Sequence, residues 1–353
     1  MFAKKTLVAL AALVAAAGAA HAQSSLKVYG LMDLGVGSFE GAHEKGASSR
    51  TTEVRSGAMT TSFIGFAGVE DLGGGLKAEF TLESFLAADS GQTLNNNAGY
   101  FWGRASNIAL SGDFGKVALG QYDNPLFTSG YTYNPFGSSM TFSPTMRHFN
   151  YLGQTNIAGS PSGMGVGFDT GWVNSVTYES PNFSGLSFVG QVALKEAPGS
   201  SNKNSYTAAV SYNAGPLSAT LTYVKGGVTI IPSTTAYTAN EKLWNLGASY
   251  DFGFLKAFGQ YTSIKDTTAA ELKDKIFQLG VSVPVTEKAA VLASFGQLKN
   301  TTAADVVTKN EVFSLGYDYN LSKRTDVYGV FSNVRQTGLV SGQSIAVGLR
   351  HNF

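Results

Sequence analysis

Few side chains in this chain are equipped for covalent chemistry. There is no Cys, and beyond residue 22 the only imidazoles are His43, His148 and His351. Thiol catalysis, thiolate metal sites and disulfides are thereby excluded, and scattered His residues leave little for a zinc centre. Hydrolysis of a lipid or peptide would need a nucleophile beside a base that a third group orients. His43 and His148 fall in different loops and His351 at the opposite end, so no such set forms and no enzyme is expected. Gly73-Gly74-Gly75 is a turn between strands with no helix following, which excludes a phosphate-binding loop, and no cofactor is expected. What remains is charge: Asp33, Lys77, Glu79 and Glu83, which share the inward parity of their strands, with Arg104, Asp123 and Arg147. Opposed charges across a narrow, wet passage set a transverse field and tune ion preference.

Such a passage needs walls. The chain has 353 residues, 42 of them Gly and only 14% charged, against about a quarter in soluble domains. Its start reads as an export signal: Lys4 and Lys5, an apolar run from Leu7 to Ala20, and Ala20-His21-Ala22 as the cleavage site, giving a signal peptide at 1–22. Losing Lys4 and Lys5 takes the formal charge from +1 to −1. That balance gives no reason to expect a nucleic-acid partner, which needs a concentrated basic surface.

From Leu26 onward, short segments alternate with period two. Trp244, Leu246, Ala248, Tyr250 and Phe252 oppose Asn245, Gly247, Ser249 and Asp251, and Phe313, Leu315, Tyr317 and Tyr319 oppose Ser314, Gly316 and Asp318. One face is apolar with aromatics near its ends; the other is Ser, Thr, Gly, Asn and Gln, not the Lys and Glu of a soluble sandwich. Tight turns such as Gly112-Asp113-Phe114-Gly115 alternate with longer loops at roughly 39–58, 87–98, 123–171, 196–203, 227–240, 266–272, 300–308 and 335–341. Seven turns and eight loops predict 16 strands. Even strand number, an apolar outside and closure in lipid define an all-β fold, a 16-stranded antiparallel transmembrane β-barrel spanning 23–353. A barrel this wide keeps an aqueous lumen. A plugged, energised transporter would need an N-terminal plug and more strands. The third loop, about 123–171, carries Phe127, Tyr131, Tyr133, Phe136, Phe142 and Phe149, enough to pack it against the wall.

Val69-Glu70-Asp71-Leu72-Gly73-Gly74-Gly75-Leu76-Lys77-Ala78, Leu110-Ser111-Gly112-Asp113-Phe114-Gly115, Asn320-Leu321-Ser322-Lys323-Arg324-Thr325 and the ending Gly348-Leu349-Arg350-His351-Asn352-Phe353 resemble the trimeric general diffusion porins of Gram-negative β-proteobacteria. The resemblance covers essentially the whole mature chain. It implies a homotrimer in the outer membrane, passive diffusion of ions and small hydrophilic solutes, and a third loop folded inward as the constriction. It also implies contact with outer-membrane lipid and lipopolysaccharide, and a terminal Phe353 read by the barrel-assembly machinery. A substrate-specific channel is the alternative function. Arg104 matches the arginine that relatives carry in the fourth strand. Three other basic positions are changed: Phe63 follows Ser62 where relatives read Ser-Arg, Gln121 follows Gly120 where they read Gly-Arg, and Gly171 or Trp172 aligns with the basic residue they often carry at the start of the next strand. A weakly selective or mildly cation-preferring pore is therefore expected. Strict alternation from Ile108 and Leu110 places Arg104 outward, near a subunit interface or a bulge.

Overall fold

The computed structural model describes residues 25–93, 101–153, 171–194, 204–226, 241–266, 273–302 and 304–353. The predicted signal peptide and residues 154–170 of the third loop lie outside the described residues. Strands β1 (Ser25–Phe39), β2 (Thr51–Ser56), β3 (Phe63–Gly73), β4 (Leu76–Ala87), β5 (Gln92–Thr93), β6 (Ala105–Gly112), β7 (Gly115–Asp123), β8 (Gly171–Glu179) and β9 (Leu186–Ala193) form the first half. The second half is β10 (Ser205–Ala214), β11 (Leu217–Lys225), β12 (Glu241–Asp251), β13 (Lys256–Asp266), β14 (Lys273–Thr286), β15 (Ala289–Thr301), β16 (Val307–Asn320), β17 (Thr325–Gln336) and β18 (Gly342–Asn352). All neighbours are antiparallel, and β1 pairs with β18 from Leu31↔Asn352 to Ser38↔Ile345, which closes the sheet.

The barrel has 16 staves, because β2 and β3 share one and β5 is a two-residue extension beside β4. No helix among the described residues is long and apolar enough to cross a membrane; the crossing is made by strands. Alternation works as predicted from the residue types. Trp244, Leu246 and Tyr250 stand exposed on the outside, while Asn245 and Ser249 are buried inward. An outward apolar face is stable only in lipid, and closure leaves no unpaired edge there.

Two details depart from the expected strand plan. The first loop is shorter than 39–58, since Thr51–Ser56, rich in β-branched residues, pairs with β1 from Leu34↔Ser56 to Phe39↔Thr51. Between β2 and β3 the stave breaks at 57–62, opposite Met32 and Asp33. The register also shifts after Gly120, whose φ of +115° and close approach to the Ser106 carbonyl suit only glycine.

Inside the barrel, the third loop folds as α1 (Pro125–Thr132) and α2 (Pro144–Gly153). Asn124 starts α1 by accepting from the Leu126 N–H at 2.9 Å, with Pro125 in the first turn. Leu126, Phe127, Met146 and Phe149 pack on Val224, Leu243, Ile264, Ile276 and Leu298 of the far wall. Phe136 and Phe142 pack on Phe39, Met59 and Val330 near the seam. Each such burial contributes roughly 1.5–3 kcal/mol.

Candidate functional site: the lumenal constriction

Arg104 precedes the first residue of β6, so alternation counted back along the strand does not govern it. Its N–H donates to the Glu83 carbonyl at 3.1 Å and its guanidinium pairs with the Glu83 carboxylate inside the lumen. The outward assignment of Arg104 is thus corrected. Its guanidinium carbon lies 4.0 Å from the Phe63 ring centroid and 5.9 Å from that of Phe85, within cation–π range. Tyr29 completes the cluster, donating to Glu83 at 2.5 Å and meeting Phe63 edge-on at 6.0 Å. Phe63 therefore holds a positive charge in place although it supplies none.

Two lumenal cavities meet here. The larger, about 590 Å³ toward the short-turn end, is lined by Glu83, Arg104, Tyr122, Asp123, Tyr131 and Glu179, with Ser and Thr hydroxyls around them. The smaller, about 240 Å³, is lined by Thr60, Thr61, Phe85, Phe127, Ser138 and Met140. Arg104, Asp123 and Tyr131 line both, so they mark the neck between them. Burial, reinforced by Asp123, pushes the Tyr131 phenol up, keeping it a neutral hydroxyl at the neck.

Asp33, expected at the constriction, instead has its side chain fully buried in the wall. It sits opposite the break in the stave and supplies the partners the broken ladder lacks. Its Oδ2 accepts from the Met59 and Thr60 N–H groups at 2.8 and 2.6 Å, and its Oδ1 from Tyr328 at 2.7 Å. Its carbonyl accepts from Gly57 N at 2.9 Å, and its own N–H donates to Ser62 Oγ at 2.9 Å. The break folds inward as a result, and the loop tip docks on it: Ser139 Oγ donates to the Ala58 carbonyl at 2.7 Å.

The other predicted residues divide between the neck and distant positions. Glu83 and Asp123 are at the neck. Lys77 is exposed six residues from Glu83 on β4, about 20 Å away along the strand. Glu79 accepts from Ser111 and lies 2.7 Å from Lys116 Nζ, near the short-turn mouth. Gln121 is 8% exposed and donates to the Gly103 carbonyl at 2.5 Å, so its amide is engaged in the wall. Arg147 lies in α2, where its Nη1 donates to the Thr141 carbonyl at 3.4 Å and burial, with Arg55 adding to it, pulls its pKa down. Phe353 pairs with Gly30 through both backbone bonds, at 3.1 and 3.2 Å, and its ring covers the space a Gly30 side chain would take.

Sequence reasoning missed Arg350. Its guanidinium bridges Asp326 at 2.9 Å and Asp318 at 2.6 Å and reaches Thr60 Oγ1 at 3.1 Å. Inward parity in the last strand was the available signal. Tyr131 and Thr60 gave none, because neither lies on a strand.

A closed, lipid-facing barrel with a loop narrowing its polar lumen defines a pore-forming outer-membrane protein. The chain belongs to the Gram-negative porin family, Porin_4, which matches residues 9–339. It is 33% identical to outer membrane porin protein 32 of Delftia acidovorans, over 99% of this chain and all of that one. It is 28% identical to an outer membrane porin protein of Bordetella pertussis, with the same coverage. Among solved structures, an anion-selective porin from Comamonas acidovorans superposes with a TM-score of 0.74 at 28% identity, covering 94% of this chain and all of that one. The protein is an outer-membrane diffusion channel.

Proposed function

We propose that this channel is a homotrimeric, non-catalytic pore with weak or mildly cation-preferring selectivity. The observation carrying this reading is the neck and the chamber below it, where Glu83, Asp123 and Glu179 stand against the single guanidinium of Arg104. Carboxylates lining a narrow passage favour cations. Arg350, the next lumenal arginine on the seam side, is balanced by Asp318 and Asp326. The anion preference of the Comamonas relative is not carried over, since Phe63 and Gln121 occupy positions where related porins place arginines. A reversal potential measured across a planar bilayer in a KCl gradient tests it. Near-zero or cation-signed potential supports the reading, and strong chloride selectivity overturns it.

The outward residues Val28, Gly30, Met32, Leu34, Ile64 and Phe66 offer the small and apolar surface for trimer packing. Gly65, between Ile64 and Phe66, faces the lumen, since a side chain there would meet Tyr29 and Glu83. Light scattering in mild detergent distinguishes three chains from one. Phe353 is the proposed assembly signal, and its pairing with Gly30 gives it a second role in sealing the seam. Loss of Phe353 is expected to lower the amount of inserted protein without altering the conductance of the channels that form.

A further inference from the structure

The larger chamber beyond the neck is two-sided. Its acids stand on β4, β7 and β8, and most of its hydroxyls on α1, β10 and β11. The acids differ in what they already hold. Glu83 is engaged by Arg104 and Tyr29. Glu179 accepts from the Tyr122 hydroxyl at 2.9 Å, and among the described residues no ion pair involves it. Lys116, its cross-strand partner, is paired with Glu79 at 2.7 Å. An ionised carboxylate has about four lone-pair positions, so Glu179 keeps acceptor capacity toward the lumen. Asp123, at the neck, adds negative charge to the same space.

Further round the wall the chemistry changes. The Tyr133 hydroxyl pairs with Ser218 at 3.0 Å and with Thr220 at 2.9 Å, and Ser211 pairs with Thr220 at 2.8 Å. These groups form a connected track of hydroxyls, and Thr132, exposed at the end of α1, lines the same chamber. A hydroxyl both donates and accepts, and its proton turns to suit its neighbour. Metal ions and ammonium groups use only its acceptor side, and carboxylates only its donor side. A ligand that is itself hydroxylated uses both. The chamber's volume of about 590 Å³ lies within the range of roughly 300–1,000 Å³ common to small-molecule sites.

We propose that this chamber is a retention subsite for cationic amino sugars, with Glu179 taking an ammonium group and the hydroxyl track taking ring hydroxyls. The inference deepens the cation-preferring reading and rests on it in one respect, that carboxylates dominate the charge of this chamber. An uncharged sugar forgoes the contact with Glu179. An alkyl diamine leaves the donor side of the track without a partner. A solute that carries both kinds of group therefore lingers after crossing the neck, where other small solutes pass.

The test is block of single-channel current in a planar bilayer by four probes of similar length. These are the β-1,4 dimer of glucosamine in its protonated form, its N-acetylated counterpart, cellobiose and 1,5-diaminopentane. The amino dimer is expected to block at a concentration at least about fivefold lower than any of the other three. Glu179→Gln is expected to remove most of that preference, and Thr132→Ala to weaken block by the amino dimer but not by the diamine. Glu311→Gln, which removes the same charge from the outward face of β16, is expected to change neither. The comparison of probes on the unmodified channel needs no variant, so it decides the matter even where a variant does not insert. Equal block by the four probes, or a preference that survives Glu179→Gln, would overturn the inference. The reversal potential keeps the two readings apart. A cation-signed potential with equal block overturns the subsite alone, whereas chloride selectivity with an amino-dimer preference that depends on Glu179 supports the subsite and overturns the selectivity reading alone.

Discussion

The third loop is held differently on the two sides of the lumen. On the seam side it rests on a polar framework: Asp33 gathers the break at 57–62, Tyr328 and Arg350 buttress it, and Ser139 hydrogen-bonds to Ala58. On the far side it sits in recesses left by glycines on neighbouring strands. A methyl group at Gly280 would stand 2.6 Å from Pro135 and one at Gly296 2.6 Å from Pro144, while at Gly247 it would enter the Tyr133 ring. The seam side depends on one carboxylate that gathers several bonds; the far side combines close-fitting recesses with separate bonds, Ser129 to Asn245 at 2.6 Å, Gln260 to the Gly130 carbonyl at 3.0 Å and Tyr133 with Thr220 at 2.9 Å. The first should fail abruptly when one partner is removed, the second by degrees as volume is added.

The largest effect is expected at Asp33. Asp33→Leu strands the buried Met59 N–H, the half-buried Thr60 N–H and the Tyr328 hydroxyl, and each unsatisfied buried group costs about 1–3 kcal/mol. A loss of roughly 3 kcal/mol or more should show as a lower urea midpoint. The channels that survive should conduct more and flicker, because the loop tip has lost its post. Unchanged stability and current would mean that the break holds itself.

Acid separates the two sides next. His148, in α2, is fully buried beside the far wall, and burial pushes its imidazole down to about 3. The unfolded chain has the ordinary value near 6.5, so it takes up the proton first. The stabilisation is complete above pH about 6.5 and falls by roughly 1.4 kcal/mol per unit as pH drops toward 3. At pH about 4.5 the loss is about 3 kcal/mol. Fluorescence of Trp172, in the buried cluster with Met146 and Phe149 of α2, should report loosening as pH falls, and His148→Leu should flatten that response. Volume added at a far-side recess comes third: Gly280→Leu should cost roughly 1–3 kcal/mol and raise current noise, with no change in pH dependence.

Most of the barrel was legible in the sequence, and the constriction only in part. Period-two alternation is imposed locally by lipid outside and water inside, so the staves could be counted from residue types. The neck depends on where alternation stops. Arg104 lies one residue before β6, and Asp33 faces a break that no parity count contains. Gln121 follows the register shift at Gly120. A glycine within a strand signals close approach of some other group, yet Gly247, Gly280, Gly296 and Gly316 acquire Tyr133, Pro135, Pro144 and Phe136 only once the loop has crossed the lumen. Those partners are more than a hundred residues apart in sequence.

The smallest expected effect leaves stability aside and asks which substituted arginine position matters to ions. Phe63 lies under the Arg104 guanidinium, beside Glu83 and Tyr29, so Phe63→Arg would place a second positive charge at the neck. The reversal potential in a KCl gradient should move toward chloride. The shift should shrink as salt rises and the screening length falls from about 10 Å at 0.1 M toward 3 Å at 1 M. Gln121 is bonded to the Gly103 carbonyl and nearly inaccessible. Gln121→Arg should therefore disturb the strap at 101–103 more than the field in the pore, and move the potential less. Equal shifts from both would show that the side chain at 121 reaches the lumen after all, and that the neck extends past Asp123 along β7.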